Sequence, residues 1–263
     1  MPILVADDSI NENPAFDAKY VPFAAVDGCI AAWRGDFSSD LTGNGNTLTK
    51  IGNPNQAVFG VSCSKVNGYL TSVPDGINRT LICIHRQPAA VDSGSSYNYP
   101  FGNLSQNNNV TGVGIGIIQS ASKTSDINSM SGVVGAGQKT DPFFSLAKPA
   151  TTPAAKALSW QWTALVVDGS GNFCALYVPS QSGALVMGNN TPGVNLANRV
   201  ILEGSAPSRY RIGAWRDPST PVTASSNIEI ASCSVFDKAL LLSDLNMMYL
   251  YDKIFMAQHG EVI

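Results

Sequence analysis

Two β-prone runs joined by a short polar turn are the feature that most constrains what this chain can fold into. The apolar residues 164–167 run directly into residues 168–172, Asp-Gly-Ser-Gly-Asn, and a second apolar run follows at residues 173–178. Gly and Asn tolerate the positive φ angles that a tight turn between two strands requires. The sequence therefore predicts a central β-hairpin within residues 160–177, and we expect an all-β domain to pack around it.

Short apolar runs separated by Gly, Pro, Asn and Asp recur along the rest of the chain. We predict further strands at residues 28–34, 47–51, 57–62, 68–72, 79–86, 110–119, 131–138, 184–187, 209–215 and 227–236. The Ser/Asn/Gly/Tyr-rich residues 87–109 are predicted to form a long loop, and residues 139–158 a surface connection. The Gly-rich spacing of the strands favours a two-sheet antiparallel β-sandwich over a barrel or a propeller.

The two ends of the chain differ in character. Apolar residues recur at helical spacing from Leu245 to Phe255, and Asp244 suits the positive end of a helix dipole. We therefore predict a short C-terminal helix at about residues 244–257. Residues 1–22 mix Pro, Asn and Asp with short apolar pieces, which fits either an N-terminal arm laid on a neighbouring subunit or a frayed terminus. The folded domain is then residues 23–263.

The composition excludes several classes of partner. Charged residues make up 13% of the chain, against an average of about 25%, and the formal net charge is −3 without any basic block. We therefore expect no nucleic-acid partner. No apolar run approaches the roughly 20 residues of a membrane span, so we expect no membrane insertion. The first residues lack the basic region of a signal peptide, which indicates folding in a cytosol.

The chain has five cysteines, an odd number, and none of them forms a Cys-x-x-Cys pair. Most lie within strand-like apolar runs, which indicates small buried side chains rather than disulfides or metal ligands. The two histidines, His85 and His259, lie far apart and offer no zinc-binding spacing. We therefore expect neither a metal site nor a cofactor.

Five short motifs follow one another in a characteristic order. They are residues 29–33 followed by 41–54, the edge piece at residues 68–75, the hairpin at residues 162–178, the strand at residues 210–214, and the strand and helix at residues 231–249. In this order they resemble the concanavalin A-like lectin/glucanase superfamily, in particular its laminin-G-like (LamG) branch. The resemblance covers residues 28–252, and it implies a two-sheet antiparallel jelly roll with a concave face.

Members of this superfamily often bind sugars or proteins, some bind calcium through loop carboxylates, and some are glucanases. The paired-carboxylate signature Glu-x-Asp-x-Glu of the glucanases is absent here, and no calcium ligand set maps onto the Asp residues. A LamG-like domain with an Asn/Ser/Gly-rich surface and a short N-terminal arm is similar to small virion proteins of tailed bacteriophages. The fold alone does not fix the function.

The resemblance thus implies a non-catalytic virion protein, assembled in the host cytoplasm, with a lectin-like domain of the tail-fibre or tail-tip type. The alternative is a structural virion protein, such as a capsid decoration or a tail or baseplate subunit, and the third possibility is a glycoside hydrolase. The expected partners are other virion subunits and a cell-surface glycan or protein receptor. We also expect a homo-oligomer, for which a trimer is one option.

The residues themselves argue against catalysis. Glycoside hydrolysis needs two carboxyl groups about 5–9.5 Å apart. Glu229 has no acid two or four positions away, and Glu12 and Glu261 lie near the termini. His85 lies in an apolar strand, and no Gly-x-Ser-x-Gly motif accompanies it. We therefore predict that the protein is not an enzyme.

A sugar site needs aromatic faces beside hydrogen-bonding side chains. Two segments supply this mixture, the loop around residues 97–99 and the turn at residues 215–217, and the residue that opens the long loop could join them. The predicted ligand-binding residues are Arg86, Tyr97, Tyr99, Trp215, Arg216 and Asp217. The alternative is that Tyr99 and Trp215 cover the edge of the core. Loops rich in Tyr, Asn and Ser suit protein contacts equally well.

Overall fold

The computed structural model describes residues 26–87, 95–107, 110–122, 127–136, 144–147, 159–179, 185–189, 195–200, 202–203, 205–216 and 227–263. In chain order, the strands are β1 (Cys29–Arg34), β2 (Leu48–Ile51), β3 (Asn55–Gln56), β4 (Val61–Cys63), β5 (Gly68–Pro74), β6 (Asn78–Arg86), β7 (Ser95–Gly102), β8 (Ser105–Asn107), β9 (Val110–Ser122), β10 (Ile127–Ala136), β11 (Phe144–Ala147), β12 (Gln161–Asp168), β13 (Phe173–Tyr177), β14 (Leu185–Asn189), β15 (Leu202–Glu203), β16 (Ala206–Pro207), β17 (Arg209–Ile212) and β18 (Ile228–Phe236). A single turn of 3-10 helix, Leu196–Arg199, precedes β15, and the helix α1 (Leu242–Gln258) follows β18.

The strands form two large antiparallel sheets. Sheet 1 has the order β14-β13-β12-β6-β18-β4-β3, and β1 also pairs with β18. Sheet 2 has the order β11-β10-β9-β7-β17-β5-β2, and β8 also pairs with β9. A small third sheet consists of β15 and β16. The predicted all-β, two-sheet sandwich is therefore confirmed.

Alternation along β6 shows how the two apolar layers are built. Leu81 and Cys83 belong to the core cluster that also contains Phe101 and Ile117 of sheet 2. Ile82 and Ile84, on the opposite face of the same strand, belong to a second cluster that contains Met248 and Phe255 of α1. Because successive strand residues point to opposite faces, β6 is buried on both sides. The other sheet packs on one side, and the helix packs on the other.

The C-terminal helix is confirmed, and a buried ion pair fixes its position on sheet 1. The Asp252 carboxylate contacts the Arg34 guanidinium on β1, and both side chains are almost fully buried. The other carboxylate oxygen of Asp252 accepts a hydrogen bond of 2.6 Å from Trp162 Nε1 on β12. The Arg34 guanidinium also lies 4.4 Å from the centre of the Phe255 ring. These contacts fix which face of α1 packs against sheet 1.

The predicted hairpin is present as β12 and β13, with Asp168 opposite Phe173. The turn uses the residues that suggested it: Asn172 has a φ of 59°, and the Gly171 N–H donates to Asp168 Oδ1 at 2.7 Å. The hairpin is not the centre of its sheet, however, because β6 and β18 occupy that place. Four of the cysteines are buried as predicted, and Cys29 is half-buried.

Three predicted segments are wrong. The predicted loop at residues 87–109 contains β7 and β8, and the predicted connection at residues 139–158 contains β11. In β7 the polar Asn98 is buried, so polar and apolar residues do not alternate as they do in an ordinary half-buried strand. The predicted strand at residues 57–62 is mostly a turn, in which the Ala57 N–H donates to the Gly60 carbonyl and Gly60 has a φ of 90°.

The predicted N-terminal arm, residues 1–22, lies outside the described residues. In the part of the chain that the structure describes, no helix is both long and apolar enough to cross a membrane.

Candidate binding site

A pocket of about 710 Å³ lies where the edge strand β2 of sheet 2 approaches the edge strand β3 of sheet 1. We call it the edge pocket. Its lining combines aromatic rings with polar side chains. The rings are those of Trp33, Phe37 and Tyr69, and the polar groups at the mouth include Asp36, Ser38, Ser39, Lys50 and Gln56. Ligand pockets in proteins typically measure about 300–1,000 Å³, so the edge pocket has the volume of a small-ligand site.

Asp40 organises the loop that forms one wall of the edge pocket. Its Oδ1 accepts hydrogen bonds from Ala32 N at 3.0 Å, Thr42 N at 3.1 Å and Thr42 Oγ1 at 2.8 Å. Its Oδ2 accepts two more from Asn46, through the backbone N at 3.1 Å and Nδ2 at 2.7 Å. A carboxylate offers about four acceptor sites, so these five bonds saturate it. Asp40 therefore shapes the pocket and is not free to bind a ligand.

The pKa of Asp40 agrees with this structural role. Partial burial alone would raise the pKa, but the hydrogen bonds from Ala32, Asn46 and Thr42 outweigh it and bring the pKa below its ordinary value. A carboxylate that accepts several backbone N–H groups is stabilised in its charged form. At neutral pH the loop is thus built around a negative charge that its own donors compensate.

Phe37, on the floor of the pocket, has a strained backbone. Its φ is 56°, a value that bulky residues avoid, and its N–H donates to the Arg34 carbonyl at 3.2 Å. Its ring is buried and stacks on Tyr69, with the ring centres 6.3 Å apart and the planes 19° apart. Such strain costs about 1–3 kcal/mol and tends to occur at ligand clamps. The strained residue lies between the mouth residues Asp36 and Ser38.

Several polar groups of the edge pocket have no hydrogen-bond partner among the described residues. Lys50 forms no ion pair there, the Tyr69 hydroxyl makes no hydrogen bond, and Gln56 uses only its amide nitrogen, which donates to the Gly60 carbonyl at 2.7 Å. These groups supply both donors and acceptors at the mouth and floor. Together with the aromatic rings, they match the chemistry that polyhydroxylated ligands require.

The structure brings some of the predicted site residues together, on the outer face of sheet 2. The rings of Tyr99 and Trp215 meet edge to face with their centres 4.4 Å apart, and Tyr97 lies exposed on the same strand as Tyr99. Arg216 follows Trp215 and donates to the hydroxyl of Ser208. Trp215 is only 5% exposed, and the Lys65 ammonium lies 5.1 Å from the centre of its ring. The ring that was expected to stack on a sugar is therefore covered.

Arg86 is not part of this group. Its Nε lies 2.7 Å from Glu229 Oε2, its Nη1 lies 3.6 Å from Glu261 Oε1, and its guanidinium stacks on Trp160. All these contacts are with sheet 1 and the chain after α1. The arginine thus brings together two glutamates that stand apart in the sequence, but both carboxylates are paired with the same cation. Asp217 lies outside the described residues.

The edge pocket cannot be predicted from spacing along the chain, because it depends on how two sheet edges approach each other. In the sequence, residues 41–54 stood out only as part of one of the five ordered motifs. One local signal was available: Thr42, Asn44 and Asn46 alternate after Asp40, and all three side chains donate to the Ile30 carbonyl, at 3.4, 3.0 and 2.8 Å. Among the residues that the structure describes, no three acidic, histidine or cysteine side chains group so as to hold a metal ion.

No family model and no curated protein matches this chain. Solved structures do share its fold. The binding domain of botulinum neurotoxin DC in complex with SialylT has a TM-score of 0.55 and 12% identity, over 86% of this chain and 51% of that one. The same toxin domain in complex with rat synaptotagmin II has a TM-score of 0.53 and 11% identity, over 86% of this chain and 51% of that one. Trypanosoma rangeli sialidase in complex with 2,3-difluorosialic acid has a TM-score of 0.54 and 12% identity, over 87% of this chain and 34% of that one.

This chain therefore spans about half the length of the toxin domains and about a third of the sialidase. At such low identity the likeness shows the fold alone, a two-sheet antiparallel β-sandwich.

Proposed function

We propose that this protein is a non-catalytic, lectin-like module that binds a glycan in the edge pocket. The observation that carries the proposal is the composition of that pocket, in which buried aromatic rings line the same space as Lys50, the Tyr69 hydroxyl and the Gln56 oxygen, three groups without a partner among the described residues. Sugars present apolar C–H faces and many hydroxyl groups, so they bind where rings and hydrogen-bonding side chains occur together.

The solved structures with the same fold support a binding role at the level of the fold. The toxin domain was solved in complex with SialylT and, separately, in complex with a protein, rat synaptotagmin II. A fold that accommodates both kinds of ligand does not choose between them. The choice of a glycan for this chain depends on the edge pocket, which is a concave site rather than a flat surface.

We propose that binding is not followed by a reaction. A sialidase has a similar fold, but in this chain Asp40, Glu229 and Glu261 are engaged in structural contacts. Asp40 is saturated by five hydrogen bonds, and Glu229 and Glu261 both pair with Arg86. A glycosidase of the two-carboxylate type needs one carboxyl group that can give up a proton and a second that is free to attack or to activate water.

A glycan array followed by titration calorimetry on a positive glycan tests the proposal. Tyr69→Phe removes a pocket hydroxyl and Gln56→Ala removes an acceptor, and each should weaken binding about fivefold, the equivalent of one hydrogen bond of about 1 kcal/mol. Thr49→Ala is the matched control, because Thr49 is exposed on β2 but does not line the pocket. Binding that survives both pocket variants unchanged would place the glycan site elsewhere.

A second candidate function, a structural subunit that contacts other proteins, is favoured by the outer face of α1. Six of the ten large apolar side chains that are exposed in the described part of the chain lie between residues 241 and 262. Met247, Leu250 and Ile254 share one face of the helix, away from sheet 1. A surface helix normally has a polar outer face, so this one suits a protein contact.

Leu250→Glu separates the two candidates. In the structural role it should abolish co-assembly with partner subunits, measured by light scattering and by pull-down, while glycan binding stays intact. Val58→Glu is the control, because Val58 is fully exposed and far from the helix in the sequence.

We further propose that the module belongs to a bacteriophage virion, where it would attach the particle to a host receptor. This placement is supported by the sequence resemblance to LamG-like virion proteins and by the weakly charged, Asn/Ser/Gly-rich chain. Mass spectrometry of purified particles tests it. Absence of the protein from particles that are otherwise complete would refute the placement but leave glycan binding open.

A further inference from the structure

The edge pocket lies between two strand edges. In the described part of the chain, β2 is the last strand of sheet 2 and pairs only with β5, and β3 is the last strand of sheet 1 and pairs only with β4. Along an antiparallel strand, successive residues direct their main-chain N–H and C=O groups alternately toward the partner strand and away from it. The hydrogen bonds of each ladder therefore show which main-chain groups face outward.

On β2, the outward groups belong to Leu48 and Lys50. The Ser72 N–H of β5 donates to the Thr47 carbonyl at 2.9 Å, so the main-chain groups of Thr47, just before β2, face β5. Alternation then turns those of Leu48 away from β5, those of Thr49 toward it and those of Lys50 away again. Leu48 and Lys50 line the edge pocket, whereas Thr49 does not. No described residue pairs with the outward groups of either one.

β3 presents an outward residue to the same pocket. The Ala57 N–H donates to the Gly60 carbonyl at 3.0 Å, so the preceding residue, Gln56, directs its main-chain groups away from β4. Gln56 lines the edge pocket together with the rings of Phe37 and Tyr69. Main-chain donors and acceptors from two strand edges thus border a pocket that also contains aromatic rings.

We propose that the main chain of β2, at Leu48 and Lys50, binds two neighbouring hydroxyl groups of the glycan, so that the edge pocket selects sugars with a free vicinal diol. This inference rests on the proposed function. In an extended strand, the N–H and C=O groups of one residue lie side by side and point the same way. Hydroxyl groups on adjacent ring carbons match them, because one hydroxyl accepts from the N–H while the other donates to the C=O.

The selectivity follows from pairing donor with acceptor at both positions. A sugar that lacks one hydroxyl of the pair, or carries a methyl ether on the hydroxyl that must donate, leaves one main-chain group without a partner. Each lost hydrogen bond of this kind typically weakens binding about fivefold. The side chains of Leu48 and Lys50 do not enter this recognition, so replacing a side chain and removing a main-chain N–H should have different effects.

A panel of methyl glycosides of glucose, galactose and mannose, each with counterparts that lack a single ring hydroxyl, tests the choice of ligand by NMR titration. We expect two positions on adjacent carbons at which loss of the hydroxyl weakens binding by about fivefold, and smaller effects elsewhere. Sensitive positions that are not adjacent would contradict a diol.

The variant Lys50→Pro tests the role of the main chain, with Lys50→Ala as its matched control. Proline removes the outward N–H but no ladder hydrogen bond, and edge strands accept proline where the N–H faces away from the sheet. Both variants lose the lysine side chain, so they should have similar urea midpoints, and Lys50→Pro should bind the best glycoside about fivefold more weakly than Lys50→Ala. For the counterpart that lacks the accepting hydroxyl, the two variants should bind equally.

Amide hydrogen exchange on the wild-type protein gives a readout that does not depend on any variant. In the free protein, the N–H of Thr49 should exchange more slowly than those of Leu48 and Lys50, because only the first lies in the ladder. A saturating glycoside should slow the exchange at Leu48 and Lys50 and leave Thr49 unchanged.

The inference and the proposed function fail in distinguishable ways. If a glycoside binds but leaves exchange at Leu48 and Lys50 unchanged, and Lys50→Pro binds it as tightly as Lys50→Ala, the main chain of β2 is not the binding element and the glycan proposal stands. If neither the glycosides nor any glycan on the array binds the wild-type protein, both fail together.

Discussion

The imidazole of His85 on sheet 1 reaches across the core to Gln119 on sheet 2, with Nδ1 2.9 Å from Gln119 Oε1. The other ring nitrogen, Nε2, lies 3.1 Å from Thr163 Oγ1 on the neighbouring strand β12. Both His85 and Gln119 are fully buried. This polar bridge between the layers confirms that His85 belongs to the interior of a strand, and it gives the sandwich a pH-sensitive contact.

We predict that the protein loses stability as the pH falls from about 6.5 to about 4. Burial lowers the pKa of His85 from 6.5 to about 4, although the hydrogen bond to Gln119 opposes the shift. Between these values the unfolded state binds a proton that the folded state does not, so stability rises with pH in this window. Full protonation should cost roughly 3 kcal/mol.

Urea unfolding at several pH values, for the wild type and for His85→Gln, measures this effect. The variant lacks the titrating group, so its free energy of unfolding should change less between pH 6.5 and 4. Comparing the two slopes removes the contribution of the carboxylates, which titrate in both proteins. Equal slopes would show that His85 does not control acid stability.

A second prediction concerns the ion pair that positions α1. Asp252→Ala should lower the free energy of unfolding by about 3–5 kcal/mol, because it removes the buried carboxylate that pairs with Arg34 and accepts the hydrogen bond of Trp162. Thermal and urea unfolding measure the loss. The double variant Arg34→Met, Asp252→Leu removes both charges and should be clearly more stable than Asp252→Ala. If the double variant is the less stable of the two, the interaction is not that of a charge pair.

A third prediction concerns the hairpin strand β12, which has a neighbour on each side. Val166 lies opposite Ala175 of β13 and Thr80 of β6. Val166→Pro should cost at least about 3 kcal/mol, because proline removes a ladder hydrogen bond and clashes with the adjacent backbone. Val58→Pro is the control, since Val58 is fully exposed in a turn, and it should change stability by less than about 1 kcal/mol. If both variants lost similar amounts of free energy of unfolding, the cost of Val166→Pro would not come from the pairing of β12 with its neighbours.

The parts of the fold that the sequence predicts well are those with a local cause. The hairpin follows from the turn at residues 168–172, and α1 follows from the spacing of Leu245, Met248 and Phe255, all of which are buried. β7 was missed because Asn98 is buried in it and the usual alternation is absent. A polar residue can be buried when it has hydrogen-bond partners, which the local pattern of polar and apolar residues does not reveal.

The candidate site was harder to predict, for a physical reason. Alternation on β6 places Arg86 on the same face as Ile82 and Ile84, beneath the segment that follows α1, whereas Tyr99 lies on the other sheet. The residues of the edge pocket come from two sheets whose edge strands, β2 and β3, approach each other only after folding. Spacing along the chain does not show such an approach, so the sequence did not point to the edge pocket. The predicted residues Tyr99, Trp215 and Arg216 line a separate small pocket on sheet 2.

The last prediction concerns Asp40, on which the shape of the edge pocket depends. Asp40→Ala removes the acceptor of five hydrogen bonds and leaves Ala32 N, Thr42 N and Asn46 N without their partner. We expect a loss of about 2 kcal/mol in the free energy of unfolding and loss of glycan binding, because the loop that forms the wall no longer has a fixed conformation. The control Asp36→Ala changes an exposed residue close to Asp40 in the sequence and should lower the free energy of unfolding by less than about 1 kcal/mol.

The stabilisation by Asp40 should also depend on pH. Since the pKa of Asp40 is lowered on folding, the stabilisation by its carboxylate is present above the ordinary pKa of 3.8 and is lost as the pH falls below it. Urea denaturation of the wild type and both variants at pH 7 and at pH 3 measures these effects. The difference in the free energy of unfolding between the wild type and Asp40→Ala should be smaller at pH 3. An unchanged difference would mean that the loop does not depend on the ionised carboxylate.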